Sequence, residues 1–187
     1  MKGIVFREFI TMVETRYSIE IADRIITASD LSSDGAYTSV GTYPHQEMVD
    51  LVTHLSAETD TSVPDLLHTF GRHLFQRFAV IHPEFVKTQA CAFELLRQLD
   101  GHIHVEVRKL YTDAELPAFD YEEIGDKEMV FIYRSRRRLA DFAQGLIQGC
   151  VEHFGESLEI QRTDLPDAGG DAHTRFLLRK SDHGATR

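Results

Sequence analysis

The sequence predicts an α+β protein whose first half is helical and whose second half combines antiparallel strands with one long helix. Through about the first hundred residues, apolar side chains recur every three or four positions, as on the buried face of a helix. Beyond Gly101, short stretches of alternating apolar and polar residues, separated by turn-forming residues, indicate strands instead. An amphipathic stretch with apolar residues from Leu139 to Phe154 interrupts them and predicts the long helix.

Five helices are expected in the first half. Their apolar faces place them at 2–17, at 19–28, from the Tyr43–Pro44 pair onward, from Ser62 to Pro83, and from Glu84 to Leu99. Ser62 or Val63 can cap the fourth helix ahead of Pro64, and Pro83 cannot continue it. The run 30–35 has loop chemistry and separates the second helix from the third.

Four strands and one helix are expected in the second half. The strands are placed at 118–124, 128–134, 157–162 and 173–179, and the helix at 136–154. Gly125–Asp126 predicts a turn between the first two strands, and the Gly- and Pro-containing run 166–170 separates the last two. Residues 181–187 are expected to form a frayed tail.

Composition and charge bound the class of protein. The 187 residues are 42% hydrophobic and carry 20 basic against 30 acidic residues, a net charge of −10. This balance suits one globular domain and argues against nucleic-acid or anionic-membrane binding, because both need a basic surface. Neither a signal peptide nor a membrane-spanning stretch is recognisable. Cys91 and Cys150, far apart and in apolar helical patterns, predict buried free thiols and a reducing cytoplasm.

The most informative stretch is Tyr133–Arg137, which reads Tyr-x-Ser-x-Arg at the end of an apolar run. It leads into the helix expected at 136–154, so that three arginines, Arg136–Arg138, would crowd the first turn, where the helix dipole disfavours cations. Ser135 would be the N-cap of that helix. Two explanations remain open: a solvated basic run, or a site where Tyr and Ser hydroxyls and an Arg guanidinium converge on a carboxylate or phosphate.

A pair of histidines, His102 and His104, lies in a segment whose conformation the pattern leaves undecided. Apolar residues occupy every second position, as in a strand, but a helical stripe fits the segment as well. On a strand both rings would share a face with Glu106 and could bind a metal. On a helix the two rings diverge by about 200°, so only one can face the core, as an axial haem ligand does.

Two glycines, Gly145 and Gly149, lie four residues apart beside the apolar face of the long helix. They indicate either tight helix packing or a flat cofactor that lies against the backbone. No nucleophile elbow, Walker loop, dinucleotide fingerprint or HExxH helix is present in the sequence, and its acidic residues suggest no acid–base pair. Catalysis is therefore the weaker interpretation.

Together these motifs resemble the haem nitric oxide/oxygen-binding (H-NOX) family, the sensor domain of bacterial gas sensors and of soluble guanylate cyclase. The resemblance covers nearly the whole chain. Its specific parts are the segment 103–111, followed by Leu116–Phe119, and the Tyr-x-Ser-x-Arg motif, followed by a helix that contains Gly145–Ile147. The two parts occur in the order and at the spacing of the family.

The resemblance implies a b-type haem between two lobes. His104 would be the proximal iron ligand on a helical segment, Tyr133, Ser135 and Arg137 would bind the propionates, and Pro117 would press on the porphyrin and distort it. Six apolar residues would line the pocket: Val5, Phe9, Leu74, Phe78, Phe142 and Leu146.

Phe142 is the residue from which the resemblance implies which gas is bound. Family members that bind oxygen have a tyrosine on the long helix, nine residues beyond the motif tyrosine, and this chain has Phe142 there. An apolar wall implies NO and CO as ligands and selection against O₂, because bound O₂ depends more on a hydrogen-bond donor. Two other departures are Thr112, where the family usually has proline after Tyr111, and the lack of the cysteines of a C-terminal zinc site.

The implied function is NO sensing rather than catalysis. NO would weaken the bond between iron and His104, and the released helix and relaxed haem would signal to a separate protein, a histidine kinase or a cyclic-di-GMP enzyme. The chain would comprise a distal helical lobe at 1–62, a haem-binding lobe at 63–180 and the tail at 181–187. On the residues alone two other functions stay open: a non-haem metal enzyme using His102 and His104, and a haem-free module that binds an anion.

Overall fold

The computed structural model describes residues 1–180, except for the side chains of Leu110 and Ala168, and has the α+β architecture expected from the sequence. A π-helical turn, Leu99–Ile103, runs directly into the seventh helix. The tail expected at 181–187 lies outside the described residues. In chain order the elements are α1 (Gly3–Arg16), α2 (Ile19–Ala28), α3 (His45–Thr59), α4 (Val63–Ile81), α5 (Pro83–Val86), α6 (Ala92–Arg97), α7 (His104–Leu110), β1 (Ala118–Ile124), β2 (Glu128–Ser135), α8 (Ala140–His153), β3 (Leu158–Ala168) and β4 (Asp171–Lys180).

The first four helices lie close to their predicted positions, and local chemistry explains where they begin. The Ser62 hydroxyl accepts a hydrogen bond from the backbone N–H of Asp65 at 3.2 Å, so Ser62 is the N-cap of α4. Ser18 caps α2 in the same way, through the backbone N–H of Ile21. None of the helices in the described part of the chain is long and apolar enough to cross a membrane.

The fifth predicted helix, from Glu84 to Leu99, is wrong as a single element. The chain forms two short helices there, α5 and α6, separated by an irregular turn. Two carboxylates take the backbone N–H groups at the start of α6: Glu94 accepts from Ala90 and Glu156 accepts from Ala92, both at 2.7 Å. These side-chain acceptors replace the carbonyls that a continuous helix would have supplied.

The long helix also begins later than predicted, at Ala140 rather than at residue 136. Arg138 has φ = 53°, in the left-handed region, which a right-handed helix cannot include. Ser135 accepts a hydrogen bond from the backbone N–H of Arg137 at 3.2 Å and closes a turn instead of capping the helix. The arginines at 136–138 precede the helix, so the prediction that they crowd its first turn is wrong.

The undecided segment at 102–110 is helical. The backbone N–H of Ile103 reaches the carbonyl of Gln98 at 2.9 Å, an i→i+5 bond that marks the π-helical turn. We call the π-helical turn and α7 together the proximal segment (residues 99–110). Its helical geometry separates the two histidines: His104 is buried and His102 is exposed.

The four strands form one antiparallel sheet in the order β1-β2-β4-β3. Tyr133, on the central strand β2, lies opposite Phe119 of β1 and Thr174 of β4. The last two strands are longer than predicted, because the loop expected at 166–170 narrows to a tight turn. Gly169 and Gly170 make this turn with φ of 63° and 88°, which glycine adopts without strain.

Two apolar clusters form the core, and α4 and α8 connect them. The distal cluster is built mainly from α1 to α4, and the second packs α6 and α8 against the sheet. A Cβ added at Gly145 would lie 2.1 Å from the carbonyl oxygen of His68, and one at Gly71 would lie 2.3 Å from that of Phe142. Tight helix packing is thus the confirmed explanation for Gly145 and Gly149, since α4 fills the space beside both.

Candidate functional site

The proximal segment places one imidazole in the interior. His104 is 8% exposed, and it is the only buried residue of α7 among those whose side chains the structure describes. Its Nδ1 lies 3.0 Å from Oδ1 of Asp100. Because a carboxylate only accepts, the neutral ring carries its proton on Nδ1, and the lone pair of Nε2 is free for a metal.

Burial has the largest effect on the pKa of His104 and lowers it, while the carboxylate of Asp100 opposes that shift. The ring is therefore favoured in the neutral form that binds a metal. By contrast, His102 is exposed and its ring lies edge-on to Phe85, with 6.5 Å between centroids. Within residues 1–180 no group of three His, Cys, Asp or Glu side chains gathers that could hold a metal ion by itself.

Phe119 connects the proximal segment with the Tyr-x-Ser-x-Arg motif. Its ring centroid lies 5.6 Å from that of His104 and 5.6 Å from that of Tyr133. It also stacks on Phe131 at 4.8 Å, which anchors β1 to β2. Pro117, two residues earlier, is half-buried just before β1 begins. The sheet therefore places the predicted ligand and the tyrosine of the predicted anion site in contact with one aromatic ring.

Tyr133 and Ser135 are the buried part of the anion motif. Tyr133 is 3% exposed and Ser135 is 8% exposed, because both point inward from alternate positions of β2. Burial raises the pKa of Tyr133, whereas hydrogen bonds from Ser135 and the Leu139 backbone and the charge of Arg137 lower it. Ser135 and Arg137 therefore lie close enough to Tyr133 to influence its hydroxyl, and their joint binding of an anion stays a prediction.

Arg137 differs from its neighbours in burial. Its side chain is 17% exposed, against 86% for Arg136 and 60% for Arg138. Each of the two outer arginines pairs with an aspartate on the surface. Arg137 pairs with Glu115 at 3.0 Å, and that carboxylate is itself 86% exposed. A surface carboxylate held in this way can be replaced by the carboxylate of a ligand at little cost.

Two further positive or protonatable groups lie near Arg137. Burial lowers the pKa of the Met1 ammonium group, and the charge of Arg137 lowers it further. The same two causes, in the same order, lower the pKa of His45. The sequence did not single out His45, because the proximity of residues 45 and 137 leaves no local signal. The region around Met1, His45 and Arg137 therefore favours a bound anion.

The predicted pocket residues all belong to the distal cluster, and we call them the distal wall. Phe9 and Leu74 are fully buried inside it. The other four are partly buried and pack against it: Val5, Phe78, Phe142 and Leu146. Phe142 stacks on Phe70 at 5.1 Å, and Phe70 meets Phe9 edge-on at 5.1 Å.

Val5 and Phe142 also line a narrow apolar crevice whose other residues the sequence did not single out. These are Met1, Met48, Leu67, Phe70 and Leu139. Met48, Leu67 and Phe70 occupy the predicted apolar faces of α3 and α4, so their burial was visible in the sequence. Their position beside Phe142 depends on how the helices pack, which periodicity does not show.

Two of the tyrosine hydroxyls that pack against the distal cluster make hydrogen bonds within the protein. Tyr37 donates to the buried carboxylate of Glu47 at 2.7 Å, and the Tyr43 hydroxyl oxygen lies 2.9 Å from the backbone N–H of Thr38. His73 lines a separate groove of about 470 Å³ with residues such as Thr15 and Arg72. Its Nε2 lies 3.7 Å from a carboxylate oxygen of Glu8 and not in the crevice of Phe142.

These residues fit a haem by the chemistry of their side chains. A neutral buried imidazole offers Nε2 to iron, an apolar wall suits a porphyrin face, and Tyr133, Ser135 and Arg137 suit a propionate. His104 and Asp100 together match a metal-binding imidazole with its supporting carboxylate.

Comparison with known proteins agrees with this chemistry. A family model described as haem-NO-binding matches residues 2–162. The Fe(II) unliganded H-NOX protein from K. algicida is 41% identical, with 100% of both chains covered and a TM-score of 0.90. The H-NOX from Shewanella woodyi, solved bound to IWP-051 in the Fe(II)CO state, is 38% identical, covering 100% of this chain and 98% of that one, with a TM-score of 0.83.

A curated relative is soluble guanylate cyclase 89Db of Drosophila melanogaster, 24% identical over 139 residues, which is 73% of this chain. The match covers 20% of that protein, so this chain corresponds to about one fifth of its length. Because the family model spans most of the chain and the fold agrees over its whole length, this protein belongs to the haem-NO-binding (H-NOX) family of haem-binding gas sensors.

Proposed function

We propose that this protein is an NO sensor that carries b-type haem and discriminates against O₂. His104 binds the iron, Tyr133, Ser135 and Arg137 hold the propionates, and Pro117 presses on the porphyrin. The distal wall of Val5, Phe9, Leu74, Phe78, Phe142 and Leu146 covers the face where the gas binds. The combination of a buried imidazole, an apolar wall and one partly buried arginine carries this proposal.

The choice of gas follows from the distal wall. Every residue of the wall is apolar, and so is every residue that lines the crevice beside Phe142. An iron-bound O₂ carries partial negative charge and needs a hydrogen-bond donor, whereas NO and CO need one much less. A related H-NOX protein from S. oneidensis, 25% identical, was solved in the Fe(II)NO state. NO and CO are therefore the proposed ligands here.

The proximal segment is the proposed output. A bound haem would supply the iron that binds NO, and His104 would hold that iron as a ligand whose bond NO would weaken. His104 is the single buried side chain of α7 among those described, so its release removes the one fully buried contact of that helix and leaves the partly buried Leu99 and Ile103 of the proximal segment against the second cluster. The segment can then move relative to the distal lobe, proposed at 1–62, while the rest of the haem-binding lobe at 63–180 stays on the sheet.

The proposed partner is a separate effector, a histidine kinase or a cyclic-di-GMP enzyme. A separate effector is proposed because the chain belongs to a family of gas sensors rather than of catalysts. The free thiols of Cys91 and Cys150 suit the reducing cytoplasm as the place of action. Burial raises the pKa of the Cys150 thiol far above its ordinary value, so it is unreactive.

A visible spectrum of the purified, haem-loaded protein tests the proposal. We expect a Soret band, a ferrous spectrum that shifts when NO or CO is added, and the same ferrous spectrum in air as under argon on first exposure. A protein that shows no Soret band after reconstitution with haem is not a haem sensor. A new and stable ferrous spectrum in air would contradict the discrimination against O₂.

A further inference from the structure

We infer that Asp100 is a positioning residue that sets the strength of the bond between His104 and the haem iron. Its carboxylate accepts the Nδ1 proton of His104, and Arg108 moderates that carboxylate from the other side. The inference rests on the proposed function, in which His104 is the iron ligand. It adds a control on how readily that ligand is released.

The geometry is a ladder of three side chains along the proximal segment. Asp100, His104 and Arg108 are four residues apart in turn. Oδ1 of Asp100 lies 3.0 Å from Nδ1 of His104 and 3.9 Å from Nη2 of Arg108. One carboxylate oxygen therefore serves both the buried imidazole and the exposed guanidinium.

The helical path of the segment brings these side chains together. Residues four apart are neighbours on one face of a helix, so the carboxylate of Asp100 can reach the imidazole of His104. Asp100 lies inside the π-helical turn and His104 follows it directly.

The hydrogen bond changes what the imidazole offers to iron. A carboxylate that shares the Nδ1 proton gives the ring partial imidazolate character and makes Nε2 a stronger donor. A stronger donor stabilises ferric over ferrous iron and resists release when a gas binds on the opposite face. Asp100 is 39% exposed, so water weakens the effect, while Arg108, which is 48% exposed, draws some charge from the carboxylate.

The neighbouring acid on the same helix supplies a matched control. Glu106 lies two residues from His104 but pairs with Lys109 at 2.7 Å instead of with the imidazole. Asp100→Asn and Glu106→Gln each remove one negative charge and keep the shape of the side chain. Only the first removes the ionised acceptor from Nδ1, so a difference between them isolates the hydrogen bond from the general effect of charge.

Resonance Raman spectroscopy of the ferrous, haem-loaded protein measures the bond directly. We expect Asp100→Asn to shift the iron–histidine stretch to lower wavenumber and to raise the haem reduction potential. Arg108→Gln should shift the stretch the other way, because it leaves the carboxylate more strongly charged. Glu106→Gln should leave the stretch at its original position. In the diamagnetic ferrous–CO form, the Nδ1 proton of His104 should exchange faster with solvent in Asp100→Asn.

The outcomes separate this inference from the proposed function. If wild type and Asp100→Asn both show a Soret band and the same iron–histidine stretch, Asp100 does not act on the ligand and the inference fails alone. Equal shifts in Asp100→Asn and Glu106→Gln would also overturn it, because charge rather than the hydrogen bond would then be the cause. A wild type without an iron–histidine stretch would mean that His104 is not the ligand, and the proposed function would fail first.

Discussion

The distal wall and the proximal segment face the same predicted haem but are held in opposite ways. The distal wall rests on α1, α4 and α8, and α4 alone buries Leu66, Leu67, Phe70, Gly71 and Leu74. The proximal segment buries only His104 among its described side chains, and its π-helical turn buries none. One side is a packed core, and the other is a short helical segment whose one buried side chain among those described is polar, with Leu99 and Ile103 only partly buried against the second cluster.

The proposed function assigns selection of the gas to the distal wall and signalling to the proximal segment. A wall built on helices in backbone contact cannot rearrange without loss of close packing, so it presents a constant apolar surface to the gas. A segment with few buried apolar contacts opens at low free-energy cost. Under the proposed function, the rigid part is the one that would discriminate between gases, and the less tightly packed part is the one that would report binding. The predictions below test this contrast from either side, in order of decreasing expected effect.

Removal of His104 should have the largest effect. His104→Gly removes the iron ligand and also the single buried anchor of α7, so we expect loss of the iron–imidazole bond and of most haem loading. Added imidazole should restore the Soret band by filling the space. His102→Ala is the matched control, because His102 is exposed and should leave the spectrum unchanged. The reverse pattern would identify His102 as the ligand.

Arg137→Ala should come next, as the loss of a charge-assisted contact to a partly buried carboxylate. We expect haem affinity to fall by about 1.5–3 kcal/mol, measured as a faster transfer of haem to an acceptor protein. Arg136→Ala and Arg138→Ala remove the same charge from side chains that are 86% and 60% exposed, so they should change the rate little. Equal rates of haem transfer in all three variants would show that the motif is only a run of surface charges.

Gly145→Ala should disturb the rigid side. Its Cβ would lie 2.1 Å from the carbonyl oxygen of His68, so α4 and α8 must separate. Overpacking of this kind costs about 1–3 kcal/mol of unfolding free energy, which chemical denaturation measures. Gly101→Ala, in the π-helical turn, is the control because its Cβ would meet nothing within 4 Å. Equal destabilisation by the two variants would contradict the contrast between a packed wall and a loose segment.

Phe142→Tyr should produce the smallest change and sharpen the account of selectivity. It adds a donor to the wall, and one hydrogen bond of about 0.5–1.5 kcal/mol corresponds to roughly a 2- to 12-fold gain in O₂ affinity. Gas titration of the ferrous protein measures that gain. Phe142→Leu changes the ring without adding a donor and should show no gain. An equal response from both variants would point to pocket shape instead of hydrogen bonding.

Most of the fold was predictable because its signals are local. The apolar periods of α1 to α4 and the alternation in β1 and β2 placed those elements correctly. The start of α8 was missed because Arg138 adopts a left-handed conformation that no residue type there announces. The split of the fifth helix was missed because Glu156, far along the chain, supplies a hydrogen-bond acceptor at the start of α6.

The candidate site divides in the same way. The positions of His104 and of the Tyr-x-Ser-x-Arg motif were visible as residue types at a spacing, and so was the lack of a donor at Phe142. The hydrogen bond from His104 to Asp100 was not, because the pattern left the conformation of that segment undecided between strand and helix. The approach of Met1 and His45 to Arg137 joins parts of the chain that are far apart in sequence.

The sequence by itself determined the α+β class, the family resemblance, the apolar character of the distal wall and the order of the site motifs. These depend on which residues stand at which spacing, and that information is local. Only the tertiary structure decided which of two histidines is buried, which of three arginines turns inward and how closely α4 approaches α8. Those outcomes depend on packing between distant segments, where a few degrees of helical phase decide whether a side chain meets the core or the solvent.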